Sequence, residues 1–103
     1  MTNDLLDFEQ KKEAYAQHLR TITNGLMEIA RAQGRKHYTK NQLLRECYDA
    51  QDCEFKTLEE WHALGCYVKY GEHGYLFWQN DEPVLLFADF QLKVQQLSLF
   101  NNL

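Results

Sequence analysis

Aromatic and positively charged side chains alternate in two short stretches of this sequence. The first reads Arg-Lys-His-Tyr-Thr-Lys from Arg35 to Lys40, and the second runs from Tyr67 to Tyr75. A protein that binds single-stranded nucleic acid needs cations along the phosphates and flat rings on which the bases stack, each ring contributing about 1–3 kcal/mol per base. The two stretches therefore predict a surface for single-stranded nucleic acid.

The predicted surface has two parts. The cations expected to contact phosphates are Arg31, Arg35, Lys36 and Lys40. The stacking surface would be formed by Tyr67, Lys69, Tyr70, His73 and Tyr75. Two alternatives stay open here, because alternating rings on a hairpin also form core and cross-strand packing, and basic residues at a helix end are often only solvated.

Other chemistry has little support. The chain has no nucleophile elbow with Ser/His/Asp or Cys/His partners and no phosphate-cradling glycine loop, so we predict no catalytic activity. The spacing of Cys47, Cys53 and Cys66 relative to His62 and His73 matches no common zinc module, and we expect no metal and no other cofactor. An odd number of cysteines without CxxC spacing, with neither a secretory signal nor a membrane-spanning apolar run, predicts a cytoplasmic protein.

Charge is unevenly distributed along the 103 residues, whose net charge is −4. Residues 14–45 carry six Lys or Arg and one acid, whereas residues 46–60 carry six acids and one Lys. The acidic stretch leaves open a second function, a protein-binding inhibitor that presents carboxylates to the cationic groove of a host nuclease or replication factor. Its candidate face is Glu46, Asp49, Asp52, Glu54, Glu59 and Glu60.

Hydrophobic periodicity predicts three helices in the first two thirds of the chain. Apolar residues at three- and four-residue steps indicate a long helix from about Asn3 to Gln33, which Gly34 would end and Gly25 would weaken or break. Thr39 is a candidate N-cap for a second helix through Ala50. The third helix would begin at the Thr57–Glu60 capping box, bury Trp61 and end at Gly65.

The period then changes to two, which indicates strands. Residues 66–70 and 75–78 flank a Gly-Glu-His-Gly turn and predict a hairpin; after a second turn at residues 80–83, residues 84–88 predict a third strand. Helices followed by a small antiparallel sheet predict an α+β fold. We expect one domain over residues 1–90, with residues 91–103 forming a tail or a short terminal element.

One string of residues also resembles a known family. It is Thr57-x-x-x-Trp61-x-x-x-Gly65-x-x-Val68-Lys69-x-Gly71-Glu72-x-Gly74. It resembles the N-terminal single-stranded-DNA-binding domain of ArdC-type antirestriction proteins, over about residues 38–87. The resemblance implies a small α+β DNA-binding module of phage or mobile-element origin, acting against host defence or in replication. The family's domain is often followed by a metalloprotease-like domain, and no HExxH motif is present here.

The sequence departs from the family in its turn. Family members usually carry more lysine there, whereas Tyr70 and His73 occupy two of the basic positions in this chain. Lys69 is then the one permanent cation of the predicted hairpin.

A second resemblance lies near the end of the sequence. The pentapeptide Gln96, Leu97, Ser98, Leu99 and Phe100 is similar to the QL[SD]LF peptide with which bacterial polymerases and repair proteins bind the sliding clamp. The resemblance implies that Leu99 and Phe100 would fill an apolar cleft of the clamp while Gln96 fixes the orientation. The alternative is that this segment packs back on its own domain.

Overall fold

The computed structural model describes residues 8–93, and the fold is α+β with a three-stranded antiparallel sheet, as predicted. The elements are α1 (Lys12–Ala32), α2 (Lys40–Cys47), β1 (Phe55–Lys56), α3 (Leu58–Ala63), β2 (Tyr75–Gln79), β3 (Glu82–Ala88) and a 3-10 turn (Asp89–Gln91). The strand order is β1-β3-β2, so β3 is central. None of the described helices is both long and apolar enough to cross a membrane.

Helix α1 is continuous through Gly25, so the expected break is wrong. One face of the helix buries Ala16, Leu19, Thr23 and Ala30, and the Thr23 hydroxyl donates a 2.6 Å hydrogen bond to the Leu19 carbonyl. Gly25 lies on the exposed side, and packing of the opposite face outweighs its helix penalty of about 1 kcal/mol.

The two ends of α1 differ in how well they were predicted. Gly34, with φ 78°, follows the end of the helix as predicted. At the other end, a turn at Lys11 separates α1 from helical residues 8–10, so the predicted helix is interrupted there, and its predicted start near Asn3 lies outside the described residues.

The shorter helices begin at the predicted N-cap Thr39 and at the predicted Thr57–Glu60 capping box, and Thr39 also forms a capping box, with Gln42. Thr39 and Thr57 each accept a hydrogen bond from the amide three residues on, while the Gln42 and Glu60 side chains accept from the threonine amides. Accepting these hydrogen bonds lowers the pKa of Glu60, because they favour the charged carboxylate. Helix α2 ends at Cys47 rather than Ala50.

Strands β2 and β3 form a tight hairpin around residues 80–81. Asn80 and Asp81 both have positive φ, 53° and 66°, which a two-residue turn of the I′ type requires. The register pairs Gln79 with Glu82 and Tyr75 with Leu86. These two strands are confirmed, each slightly longer than the sequence indicated.

The predicted hairpin between residues 66–70 and 75–78 is wrong. Val68 instead forms an isolated antiparallel bridge with Leu92, in which the Lys69 amide donates to the Gln91 carbonyl over 2.8 Å and the Lys93 amide donates to the Tyr67 carbonyl over 2.9 Å. Strand β2 pairs with β3 on one edge through a two-residue turn. On its other edge, where the 66–70 segment would have to pair, Asn41 and Tyr48 occupy backbone groups of Trp78 and Leu76.

Gln91 explains how the segment before β2 is held in this alternative position. Its buried side chain accepts a hydrogen bond from the Ala88 amide over 2.8 Å and donates to the His73 carbonyl over 2.7 Å. Gly74 passes so close to Leu85 that a Cβ there would meet the leucine side chain. Gln91 and Leu92 thus belong to the packed core, and the rest of the predicted tail, 94–103, lies outside the described residues.

The core has two parts. One centres on Leu19, Leu44 and Phe77 between the long helix, α2 and the hairpin. The other joins α3 to the end of the sheet through Leu58, Trp61, Cys66, Val68, Phe87 and Leu92. Trp61 is buried as predicted, and its indole Nε1 donates a 2.8 Å hydrogen bond to the Phe87 carbonyl.

Side chains of α2 cover the outer edge of β2. The Asn41 side-chain amide donates to the Trp78 carbonyl and accepts from the Trp78 amide, both over 2.9 Å, so it replaces a neighbouring strand at that residue. The Tyr48 hydroxyl donates to the Leu76 carbonyl over 2.8 Å. Partial burial of this phenol, with a smaller contribution from Cys47, raises the pKa of Tyr48 to about 12.

The raised pKa of Tyr48 predicts a specific alkaline destabilisation. The unfolded phenol ionises near pH 10 and the folded phenol near pH 12, so its contribution to stability is complete below pH 10 and is lost as the pH approaches 12. Phenylalanine cannot ionise. The difference in thermal midpoint between the wild type and Tyr48→Phe should therefore narrow from pH 10 to pH 12. A constant difference would contradict this origin of the shift.

Candidate nucleic-acid interface

The segment of residues 66–74, which we term the aromatic loop, turns two of its rings outward. Its apolar side chains, Cys66 and Val68, enter the core, and alternation places Tyr67 on the other side with 43% of its surface exposed. Tyr70 follows the bridge and is 91% exposed. Both tyrosines therefore leave part of their side chains exposed to solvent.

Tyr67 lies among side chains from three separate parts of the chain. The His62 ring packs 4.8 Å from the Tyr67 ring, centroid to centroid, and the Lys93 Nζ lies 5.8 Å from the Tyr67 centroid. Neither His62 nor Lys93 was predicted for the site, because only the fold brings α3 and the 91–93 segment to the loop. Lys69 Nζ lies 3.8 Å from Glu72 Oε1, so a neighbouring carboxylate partly offsets its charge.

His73 and Tyr75 complete the predicted stacking set but differ in accessibility. His73 is exposed, and its carbonyl is held by Gln91. Tyr75 is half-buried, and its ring centroid lies 5.3 Å from that of Tyr48 and 5.5 Å from that of Phe55. Tyr75 therefore offers less accessible ring surface than Tyr70.

The predicted phosphate-contacting cations divide into three exposed residues and one that is ion-paired. Arg31, Lys36 and Lys40 are exposed, and the Lys40 Nζ lies 5.6 Å from the Trp78 ring centroid. Arg35 donates two hydrogen bonds to the Glu46 carboxylate, at 2.7 and 2.9 Å. The same bonds raise the pKa of Arg35 and lower that of Glu46, because they favour both charged forms.

Arg35 also borders an open cleft of about 440 Å³ between the 35–37 segment, α2 and the turn that follows it. Arg45 lines the same cleft and was not among the predicted site residues. The cleft is lined by Arg35, His37, Gln42, Arg45, Glu46 and Gln51. Positive side chains thus outnumber the single carboxylate among these lining residues.

Half of the predicted acidic face is engaged within the chain. Glu46 binds Arg35, Glu54 lies 3.2 Å from the Lys56 Nζ, and Glu60 caps α3. Asp49, Asp52 and Glu59 are exposed. These intramolecular contacts do not favour the inhibitor hypothesis.

The cysteines give no indication of a metal centre in the described part of the chain. Cys47, Cys53 and Cys66 are free thiols. Across residues 8–93, no group of three or more His, Cys, Asp or Glu side chains is placed to hold a metal ion. The predicted clamp-binding peptide, Gln96 to Phe100, lies outside the described residues and stays a prediction.

Comparisons with protein-family models, with curated proteins and with solved structures found no match to this chain. The resemblance to ArdC-type domains therefore stays a prediction. The features of the fold that bear on function are the exposed rings and the cations beside them.

Proposed function

We propose that this chain is a small cytoplasmic module that binds single-stranded DNA without catalysing a reaction, and that it originates from a phage or another mobile element. The observation that carries the proposal is the exposure of Tyr67 and Tyr70 beside His62, Lys69 and Lys93. Removing an aromatic ring from water lowers the free energy. Rings that stay exposed on an otherwise packed loop therefore provide binding free energy to a ligand that covers them.

Single-stranded DNA fits these residues better than duplex DNA does. Unpaired bases offer faces that stack on tyrosine regardless of sequence, whereas a duplex keeps its bases stacked on one another. The overall charge of −4 opposes long-range attraction of a polyanion. Binding must then depend on local cations and stacking. A plot of the logarithm of the affinity against the logarithm of the salt concentration should fall with a slope of about 0.7 for each contacted phosphate.

The test is a fluorescence anisotropy titration with labelled oligothymidine, which has no internal base pairing. We expect binding at low salt, progressive loss as salt is added, and weaker binding of a duplex of the same length. Absence of any binding to the single strand at low salt would remove the proposal.

A further inference from the structure

The cleft beside Arg35 holds a second arginine in a fixed orientation. The Arg45 Nη1 donates a 3.1 Å hydrogen bond to the Gln51 carbonyl, and the guanidinium carbon lies 5.2 Å from the Phe55 ring centroid. A guanidinium carries five N–H donors in a rigid plane, a geometry that suits the oxygens of a phosphate. Gln51 and Phe55 therefore position Arg45 while leaving donors for an anion.

Glu46 already shows that the cleft can hold oxyanions. Its carboxylate receives two hydrogen bonds from Arg35 in the side-by-side geometry that guanidinium groups also adopt with phosphate. The pair is near the surface, where solvent screens it, but its two parallel hydrogen bonds make it stronger than most exposed ion pairs. A phosphate bound to Arg35 must therefore compete with the Glu46 carboxylate.

A continuous series of aromatic rings leads away from this cleft. The ring of Phe55 lies under Arg45, and its centroid is 5.5 Å from that of Tyr75. The Tyr75 centroid in turn is 6.4 Å from the Phe90 centroid. Phe90 is 52% exposed although it is a large apolar residue. Ring contacts therefore connect Arg45, through the half-buried Phe55 and Tyr75, to the exposed Phe90.

We infer that Arg45 and Arg35 form a binding site for a backbone phosphate of single-stranded DNA, and that Phe90 stacks on a base of the same strand. This inference rests on the proposed function and adds three features to it: a phosphate site in a defined cleft, a second stacking position, and an inhibitory role for Glu46. The chemical class of ligand is a phosphodiester flanked by unpaired bases.

The first test compares Arg45→Gln with Arg20→Gln in the oligothymidine titration. Arg20 is exposed on α1 and lines a different cleft, so it controls for the loss of one positive charge. Arg45→Gln should weaken binding about five- to tenfold at low salt and reduce the log–log salt slope by about 0.7, as expected for loss of one phosphate contact on a single strand. Arg20→Gln should change the affinity less than about twofold. Equal effects of the two variants would overturn the inference.

The second test covers the outcome in which Arg45→Gln fails to fold. Glu46→Gln leaves Arg45 in place and removes a negative charge that repels the DNA phosphates and competes with them for Arg35. It should therefore tighten oligothymidine binding by about threefold or more. The matched control is Glu82→Gln, which removes an acid that pairs with Lys12 on α1. No gain, or the same gain in both variants, would overturn the role of Glu46.

Phe90 is tested by Phe90→Ala, with Phe90→Tyr as a control that keeps the ring. Phe90→Ala should weaken oligothymidine binding by at least about fivefold, the lower range for loss of one stacked base, and Phe90→Tyr should stay within about twofold of the wild type. Unchanged binding by Phe90→Ala would remove Phe90 from the site.

Titration of the protein with inorganic phosphate separates this inference from the proposed function. We expect the NMR signals of the Arg35 and Arg45 side-chain N–H groups to shift with phosphate alone. Suppose that the wild type binds oligothymidine and that Tyr70→Ala weakens this binding. If Arg45→Gln then leaves the affinity for oligothymidine unchanged and phosphate does not shift the arginine signals, the inference fails while the proposed function stands. If phosphate shifts the signals but Arg45→Gln binds oligothymidine normally, the cleft is a site for the free anion and the inference fails. If the wild type binds no oligothymidine, both fail.

Discussion

Trp61→Ala is expected to lower the free energy of unfolding by about 3–5 kcal/mol, the range for removing a large aromatic side chain from a core. Trp61 is 4% exposed and packs in the part of the core that joins α3 to the sheet. The substitution also leaves the Phe87 carbonyl without the indole donor. Because small domains have about 5–15 kcal/mol of stability in total, a large fraction of the variant should unfold under mild denaturation, as urea titration would measure.

Two further variants separate packing from hydrogen bonding at this position. Trp61→Phe keeps a ring but loses the indole N–H, so it should cost about 1–3 kcal/mol for the unpaired carbonyl, besides any loss of packing. Leu64→Ala, at an exposed position one turn away, should change stability by less than about 0.5 kcal/mol. If Trp61→Ala costs no more than Leu64→Ala, the α3 core is not as the structure describes it.

Tyr70→Ala should weaken single-stranded DNA binding by about 1–3 kcal/mol, or roughly 5- to 150-fold, through loss of one stacking face. Tyr70 is 91% exposed, so the free energy of unfolding should change by less than about 0.5 kcal/mol. The comparison of DNA affinity with thermal midpoint therefore distinguishes a binding role from a structural one.

Tyr70→Phe is the matched control, because it keeps the ring and removes only the hydroxyl. Its affinity for oligothymidine should remain within about twofold of the wild type if stacking carries the interaction. A loss in Tyr70→Phe as large as that in Tyr70→Ala would assign the interaction to the hydroxyl. Wild-type affinity in Tyr70→Ala would exclude this residue from the interface.

Local signals predicted four of the helix ends. The N-cap Thr39, the capping box at Thr57 and the glycines at 34 and 65 all lie at helix ends in the structure, since caps depend on hydrogen bonds within a few residues. The partner of the 66–70 segment was not predictable in this way. Its bridge to Leu92 spans more than twenty residues, and alternation of polar and apolar side chains does not specify which segment pairs with which.

In the candidate site, too, some residues could be predicted from local sequence and others are brought in only by the fold. Alternation opposite the buried Cys66 and Val68 predicts the exposure of Tyr67. The same alternation would put Tyr70 on the buried face, and Tyr70 is exposed because it lies beyond the bridge at Val68. His62, Lys93, Arg45 and Phe90 join the site through contacts between distant elements, and no spacing in the sequence marks them. The ion pair between Arg35 and Glu46 was likewise hidden, because it links the basic stretch to the first residue of the acidic one.

The side-chain amide of Asn41 has a consequence for how this protein behaves in a crowded solution. A sheet border with free amides and carbonyls can recruit a strand from another molecule and so begin aggregation. At β2 the groups of Trp78 are already occupied from within, and Tyr48 occupies the carbonyl of Leu76. The other border is β1, only two residues long, which is too short to template an added strand. The β2 border is thereby protected against pairing with a strand of another molecule, while the aromatic loop and its exposed rings remain accessible to a ligand.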